Sequence, residues 1–173
     1  MIKKNKCVLI LGSANSSGDT YKIASYISKT INIPIIDLLQ LEISDFDYNF
    51  QNKDDDFFPL IEGLIHNYDT FILTTPVYWY TMSAIMKRFL DRFSDLLKIH
   101  KEMGRRLKGK KMAILSCGSD KLLKQGFHMP FIETAKYLGM DYVGDVHTWI
   151  SSEGIEEDVK EQIHCFIEKL YPH

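Results

Sequence analysis

Cysteine is scarce in this 173-residue chain, and the three present, Cys7, Cys117 and Cys165, are odd in number and far apart. Without a C-x-x-C pair they suggest neither a zinc site nor an iron–sulfur cluster, and a dispersed odd set makes a poor disulfide framework. No metal site is therefore expected. An excess of either charge is also missing. Lys and Arg number 21 against 23 Asp and Glu, a formal net charge of −2, which supports no electrostatic case for nucleic acid or a membrane surface. Long apolar runs are missing too. The run that follows the basic start "MIKKNK" is "CVLIL" (7–11), only five residues, too short for a signal-peptide core, and no segment approaches the roughly 20 apolar residues of a membrane span. These absences lead to the expectation of a cytoplasmic protein that engages neither membrane nor nucleic acid.

What is present is ordinary globular composition, 45% hydrophobic and 25% charged, in a length that suits one domain over 1–173. Short apolar runs, "CVLIL" (7–11), "IPIIDL" (33–38), "TFILTT" (70–75), "MAILS" (112–116) and "YVGDVHTWI" (142–150), alternate with helical stripes. The first, third and fourth are nearly uninterrupted, as parallel strands covered on both faces require. The stripes include Ile23, Ala24, Ile27 and Ile31, and then Met82, Ile85, Met86, Phe89, Phe93 and Leu97, each at a spacing that shares one helical face. Gly139 is placed to cap one helix at its C-terminus, and Ser151 or Ser152 to cap the last at its start. Five strands with intervening helices predict an α/β fold, a doubly wound parallel sheet with helices on both faces.

The loop "GSANSSGDT" (12–20) follows the first strand. It is not a triphosphate loop, because Asp19 stands where the lysine of G-x-x-x-x-G-K-[ST] would be, and its two glycines do not fit G-x-G-x-x-G. Ser13, Asn15, Ser17 and Thr20 offer hydroxyls and an amide, while Gly18, Asp19 and the following residues offer backbone N–H groups at a helix start. That set suits a phosphate monoester that is moored without cation or metal. The bland alternative is that Ser17 or Asp19 simply caps the helix.

The second loop, "TTPVYWYTMSAIMKRFLDRF" (74–93), leaves the third strand. With strand order 2-1-3-4-5, connections after strands one and three leave on opposite faces and open a crevice at their carboxyl ends. Pro76, Val77, Tyr78 and Trp79, with Tyr80, would stand there beside the phosphate loop. The aromatics are either lids over the core or partners for a flat ligand. A planar ring on a flexible chain ending in a phosphate monoester describes FMN.

Together "GSANSSGDT", "TTPVYWYTMSAIMKRFLDR" and "YLGMDYVGDVHT" resemble the flavodoxin-like NAD(P)H-dependent FMN oxidoreductases, the group that includes the NADPH-dependent FMN reductases. "NSSGDT" is similar to the T-x-T-G-x-T loop of flavodoxins, which implies liganding places for Asn15, Ser17 and Thr20. Many relatives carry Arg or Lys at Asn15 and Asn at Asp19, so the Asp19 carboxylate is expected to turn outward and give only its N–H. The resemblance implies a flavodoxin-like fold in which the loop after strand four borders the pyrimidine edge, with Cys117 and Gly118 N–H groups toward the ring oxygens. The implied reaction is hydride transfer from NADPH or NADH through FMN to a quinone, a nitro or azo compound, or a flavin. Flavin N5 would be the reacting centre, with no catalytic side chain. A homodimer or homotetramer is implied as well.

A flavodoxin-like electron carrier without NAD(P)H activity is the alternative; such carriers are usually strongly acidic, unlike this chain with pI near 6.3. A receiver domain would need acidic residues where Gly12–Ser13 and Thr74–Thr75 stand. Cys117 reads as a strand-end core residue, His128 and His147 as core or surface histidines, and "RRLKGKK" (105–111) as a solvated turn. Arg88 and Asp91 are spaced to pair on one helix. The acidic-aromatic stretch 43–59 reads either as a solvated loop or as the rim of a site or subunit contact.

Overall fold

The computed structural model describes residues 6–171, and the basic start at 1–5 lies outside them. Five strands, β1 (Cys7–Leu11), β2 (Ile35–Asp37), β3 (Thr70–Pro76), β4 (Lys111–Cys117) and β5 (Asp141–Thr148), form one parallel sheet in the order β2-β1-β3-β4-β5. This is the flavodoxin-like order that the sequence predicts. β1 coincides with its apolar run, and the other strand ends differ from theirs by at most two residues; at β2 only the middle of "IPIIDL" pairs.

Because side chains alternate along a strand, each buried strand feeds two cores. Val8, Ile10, Phe71, Leu73, Met112 and Ile114 enter one; Cys7, Leu9, Ile72, Ala113 and Leu115 enter the other. Among the described residues seven α-helices cover these faces: α1 (Asp19–Ile31), α2 (Phe57–Asn67), α3 (Ala84–Asp91), α4 (Phe93–Lys98), α5 (Lys101–Arg105), α6 (Met129–Leu138) and α7 (Glu157–Leu170). Helices α1 and α7 supply Ile23, Ile27, Ile163 and Phe166 to the second core. Helices α2, α3, α4 and α6 supply Ile61, Phe89, Leu96 and Phe131 to the first. Side chains such as Phe131 and Phe166, with at most 1% exposure, each contribute about 1.5–3 kcal/mol by leaving water.

Three local expectations need correction. The stripe from Met82 to Leu97 does not form one helix: the chain tightens at Arg92, whose carbonyl accepts from Asp95 N–H only three residues on, and α3 gives way to α4. Neither Ser151 nor Ser152 caps α7, since Ser151 and Gly154 exchange hydrogen bonds of 3.1 Å in a separate turn and the helix begins after Glu156. Arg88 bonds Asp45 at 2.7 Å, and Asp91 pairs with Lys87 at 2.5 Å. Gly139 does cap α6, at φ +69°.

Candidate functional site

The chain turns back between β1 and β3, and the loops leaving β1, β3 and β4 meet there around a cavity of about 740 Å³. Its wall contains Ser13, Asn15, Ser17, Gly18, Asp19, Thr20, Pro76, Val77, Tyr78, Cys117 and Gly118, every residue expected from the sequence except Trp79. Lys22, Ser119 and Ile150 also line it and were not expected. Trp79 lines an adjoining cavity of about 230 Å³ with Tyr80, Leu122, Lys124 and His147; Val77, Gly118 and Ser119 belong to both.

The first loop is held by its own side chains. Ser13, 3% exposed, accepts from Asn15 N–H through its hydroxyl at 3.2 Å. Asn15 Oδ1 accepts from the N–H and the hydroxyl of Ser17 at 2.9 and 3.0 Å. The Ser17 proton is therefore engaged within the loop, so Ser17 is shaped as a brace more than as a donor to an anion. Gly18 precedes α1 in an extended conformation and no side chain caps the helix. The capping role open to Ser17 or Asp19 is thus not taken up. The first helical bond runs from Lys22 N–H to Gly18 O at 3.0 Å, leaving the N–H groups of Asp19, Thr20 and Tyr21 without an acceptor among the described residues. Asp19 Oδ1 lies 2.8 Å from Lys22 Nζ. Asp19 and Lys22 both line the cavity, and the charge of the carboxylate is matched there by a lysine three residues on.

Gly12 and Ser83 join this loop to the next. A Cβ on Gly12 would stand 2.8 Å from Met86 Cβ and 3.0 Å from its Cα, so glycine allows α3 to start directly against the end of β1. The Ser83 hydroxyl caps α3 by accepting from Met86 N–H at 3.1 Å and donates to Gly12 O at 2.5 Å, while Ser83 N–H donates to Thr75 Oγ1 at 3.0 Å.

Between Thr75 and Ser83 lies the aromatic turn. Val77 N–H continues the sheet to Cys117 O at 2.8 Å, and Tyr78 and Thr81 exchange N–H···O=C bonds of 2.9 and 3.0 Å. The two central residues, Trp79 and Tyr80, have φ of +47° and +66°, a left-handed pair normally left to Gly, Asn or Asp. Bulky aromatics kept in that conformation are a sign of strain at a functional position. Trp79 is 92% exposed, so the turn does not lid the core.

On the third loop, Gly118 N–H donates to Thr148 O at 3.0 Å and is not available for a ring oxygen as expected; the next N–H, that of Ser119, has no acceptor among the described residues. Burial pushes the Cys117 thiol up, against the neighbouring hydroxyls of Thr148 and Thr20, in keeping with a core residue. His147 enters the smaller cavity, with Nε2 2.8 Å from Asp120 O and Nδ1 2.9 Å from Ser116 Oγ. Burial, together with the nearby His128, holds His147 below the ordinary histidine value despite the Asp120 carbonyl. His128 Nε2 lies 3.4 Å from Asp145 Oδ2 and lines neither cavity. The turn 105–111 enters β4 at the opposite end of the sheet from the cavities, with Lys110 donating to Tyr68 O at 2.5 Å.

Residues 43–59 line neither cavity. They are held by α3 and by the buried Arg92, which donates to Asp55, Ser44 O and Asn52 O. Tyr48 remains 88% exposed beside Phe46. Among the described residues no group of three or more His, Cys, Asp or Glu is placed to hold a metal ion, and no helix is long and apolar enough to cross a membrane.

Comparison with known proteins adds a family. The family described as NADPH-dependent FMN reductase matches residues 5–153. A Bacillus subtilis (strain 168) protein named NAD(P)H-dependent FMN-containing oxidoreductase YwqN is 26% identical over 158 residues, covering 82% of this chain and 83% of its own. Among solved structures, the Trp repressor binding protein from Bacillus subtilis superposes with a TM-score of 0.69 at 20% identity, covering 95% of this chain and 96% of that one. The apo form of an NADH:FMN oxidoreductase, EmoB, gives 0.70 at 18% identity, covering 96% and 88%.

Proposed function

This chain belongs to the NADPH-dependent FMN reductase family, and from that premise we propose that its larger cavity holds FMN, the phosphate on the start of α1 and the ring toward the aromatic turn. The uncapped start of α1 carries this reading: three backbone N–H groups and a helix dipole are left for an anion. The repulsion of the nearby Asp19 carboxylate is partly offset by Lys22. The N–H groups of Asp19, Thr20 and Tyr21 would hold the phosphate, with Gly18 at the turn into the helix and Ser13, Asn15 and Ser17 bracing the loop. Pro76, Val77, Tyr78 and Trp79 would face the ring, and Ser119 N–H replaces Gly118 N–H as donor at its pyrimidine edge. FMN held there would supply the two-electron chemistry that links NADPH or NADH to an acceptor.

The side chains bind and orient. Both nitrogens of His147 are occupied and Asp19 is paired, so neither is placed to move a proton. The acceptor is a small planar molecule, a quinone, a nitro or azo compound or a free flavin, entering beside Trp79 and Tyr80. We read residues 1–173 as one domain that works as a homodimer or homotetramer. The test is the visible spectrum of the protein incubated with FMN, followed by anaerobic addition of NADPH or NADH. Bound flavin bleached by either nucleotide is the expected result. Failure to bind flavin refutes the site, and bound flavin that neither nucleotide bleaches refutes the reductase.

A further inference from the structure

The loop from Gly118 to Phe127 lines the smaller cavity and, through Gly118 and Ser119, the larger one, yet its backbone has few ties. Gly118 N–H bonds Thr148 O at one end, and Phe127 N–H reaches Lys124 O at the other. Between them Ser119–Leu123 make no backbone-to-backbone bond among the described residues. Besides Leu123, which packs against the first core, and Lys121 Nζ, which lies 5.0 Å from the centre of the Trp149 ring, two hydrogen-bonded or ionic side-chain links hold this stretch to the body. Lys121 lies 3.4 Å from Glu156 and 3.7 Å from Asp158, but all three are substantially exposed, and such pairs contribute little. The other link is His147 to Asp120 O.

That second link has a fixed sense. A carbonyl oxygen only accepts, so Nε2 of His147 carries the proton. Nδ1 of the neutral ring then accepts from the Ser116 hydroxyl, at 2.9 Å. Ser116 is fully buried on β4, and its own carbonyl accepts from Thr148 Oγ1 at 2.8 Å. A directed chain of hydrogen bonds thus runs from the centre of the sheet to the loop. Gly118 makes room for it, since a Cβ there would stand 3.2 Å from His147 Cε1.

We propose that His147 is a positioning residue that latches the β4–α6 loop to the sheet and thereby fixes Ser119 at the junction of the two cavities, where the ring end of the flavin lies. The proposal rests on the FMN reading for its functional half only; the latch belongs to the protein without ligand. His147 acts through Asp120 and the loop backbone, not through flavin contact. Replacement by alanine removes both hydrogen bonds. Replacement by glutamine keeps a side-chain N–H for Asp120 O and an acceptor for Ser116.

The test measures amide hydrogen exchange of peptides spanning 118–128 in FMN-free protein, together with FMN and riboflavin affinity from flavin fluorescence, for wild type, His147→Ala and His147→Gln. His147→Ala is expected to speed exchange in the loop and to weaken both flavins equally, each by about tenfold, the scale of one lost hydrogen bond. His147→Gln is expected to restore most of both. Unchanged exchange in His147→Ala overturns the latch, whatever happens to affinity. Faster exchange with unchanged flavin affinity overturns its role at the ring. Failure of glutamine to rescue either quantity also overturns the proposal, since packing alone would then explain the alanine variant. Should His147→Ala not fold, His147→Phe takes its place, filling the space with no polar atom. A wild-type protein that binds neither flavin refutes the FMN reading, while the exchange measurement still decides the latch.

Discussion

Arg92 and Asp55 meet at 2.5 Å beneath the 43–59 loop, the arginine with no exposed side-chain surface and the aspartate with 11%. The same guanidinium donates to Asp95 at 2.7 Å, and it lies 4.8 Å from the centre of the Phe57 ring. An arginine enclosed in this way organises the loop around itself. Replacing Arg92 by Met leaves two carboxylates in poor solvent, and the expected cost is about 3–5 kcal/mol. Urea unfolding followed by circular dichroism checks it; a loss below about 1 kcal/mol would show that water reaches the cluster freely.

The same cluster sets an acid response. Burial alone would raise the Asp55 carboxyl, but the Arg92 guanidinium and the N–H groups of Ser44 and Phe57 hold it below its ordinary value of 3.8. A carboxylate depressed in the folded state stabilises fully above its unfolded value, and that contribution disappears as pH falls through the folded value. The urea midpoint should therefore drop more steeply below about pH 4 in wild type than in Asp55→Asn. Parallel curves would contradict the assignment.

At the phosphate end, the exposed Asp19–Lys22 pair predicts opposite effects of its two halves. Asp19→Asn should strengthen FMN binding and Lys22→Met weaken it, each by up to about fivefold, the range of an exposed charge interaction. Riboflavin, which has no phosphate, should respond to neither. Fluorescence titrations with both flavins at low and high salt decide it, and equal effects on FMN and riboflavin would place the phosphate elsewhere.

At the ring end, stability and binding should part company. Trp79→Asn puts a residue tolerant of left-handed backbone where a bulky ring now stands, so folding stability should hold or rise by up to about 1 kcal/mol. Flavin affinity should fall by about tenfold with loss of the aromatic face. A stability loss instead would mean that the turn is not strained.

Thiol reactivity should be selective. Cys7 and Cys117 are buried, and burial pushes both thiols up, whereas Cys165 is exposed. Iodoacetamide at neutral pH should label Cys165 alone in the folded protein and all three after denaturation, read by intact mass. Rapid labelling of Cys117 would show that the cavity opens further than the structure indicates.

The contrast between what could and could not be read from the sequence is physical. The runs at β1, β3 and β4 are legible because strands buried on both faces are apolar through their middle, the buried Thr74, Thr75 and Ser116 standing only at their ends. The 12–20 loop and its neighbours converge on one cavity because strand order fixes which loops meet, and that order follows from the alternation of elements. The break at Arg92 is hidden in the sequence, as its carboxylate partners are 37 and 3 residues away and its carbonyl partners, Ser44 and Asn52, 48 and 40 residues away. Lys22 could have been found from its spacing to Asp19. The left-handed pair Trp79–Tyr80 could not, because nothing local favours aromatics in that conformation. Gly118 illustrates the remaining limit: its role as donor was reasonable from the loop position, but Thr148 already takes its N–H.

The Ser83 hydroxyl, bonded to Gly12 O at 2.5 Å while its own backbone N–H grips Thr75, has a consequence for selectivity. It clamps the two jaws of the cleft together, the end of β1 that leads into the 12–20 loop and the end of β3 that leads into the aromatic turn. Such a calliper measures span: a ligand with the right head and tail on a longer or shorter tether cannot satisfy both jaws at once.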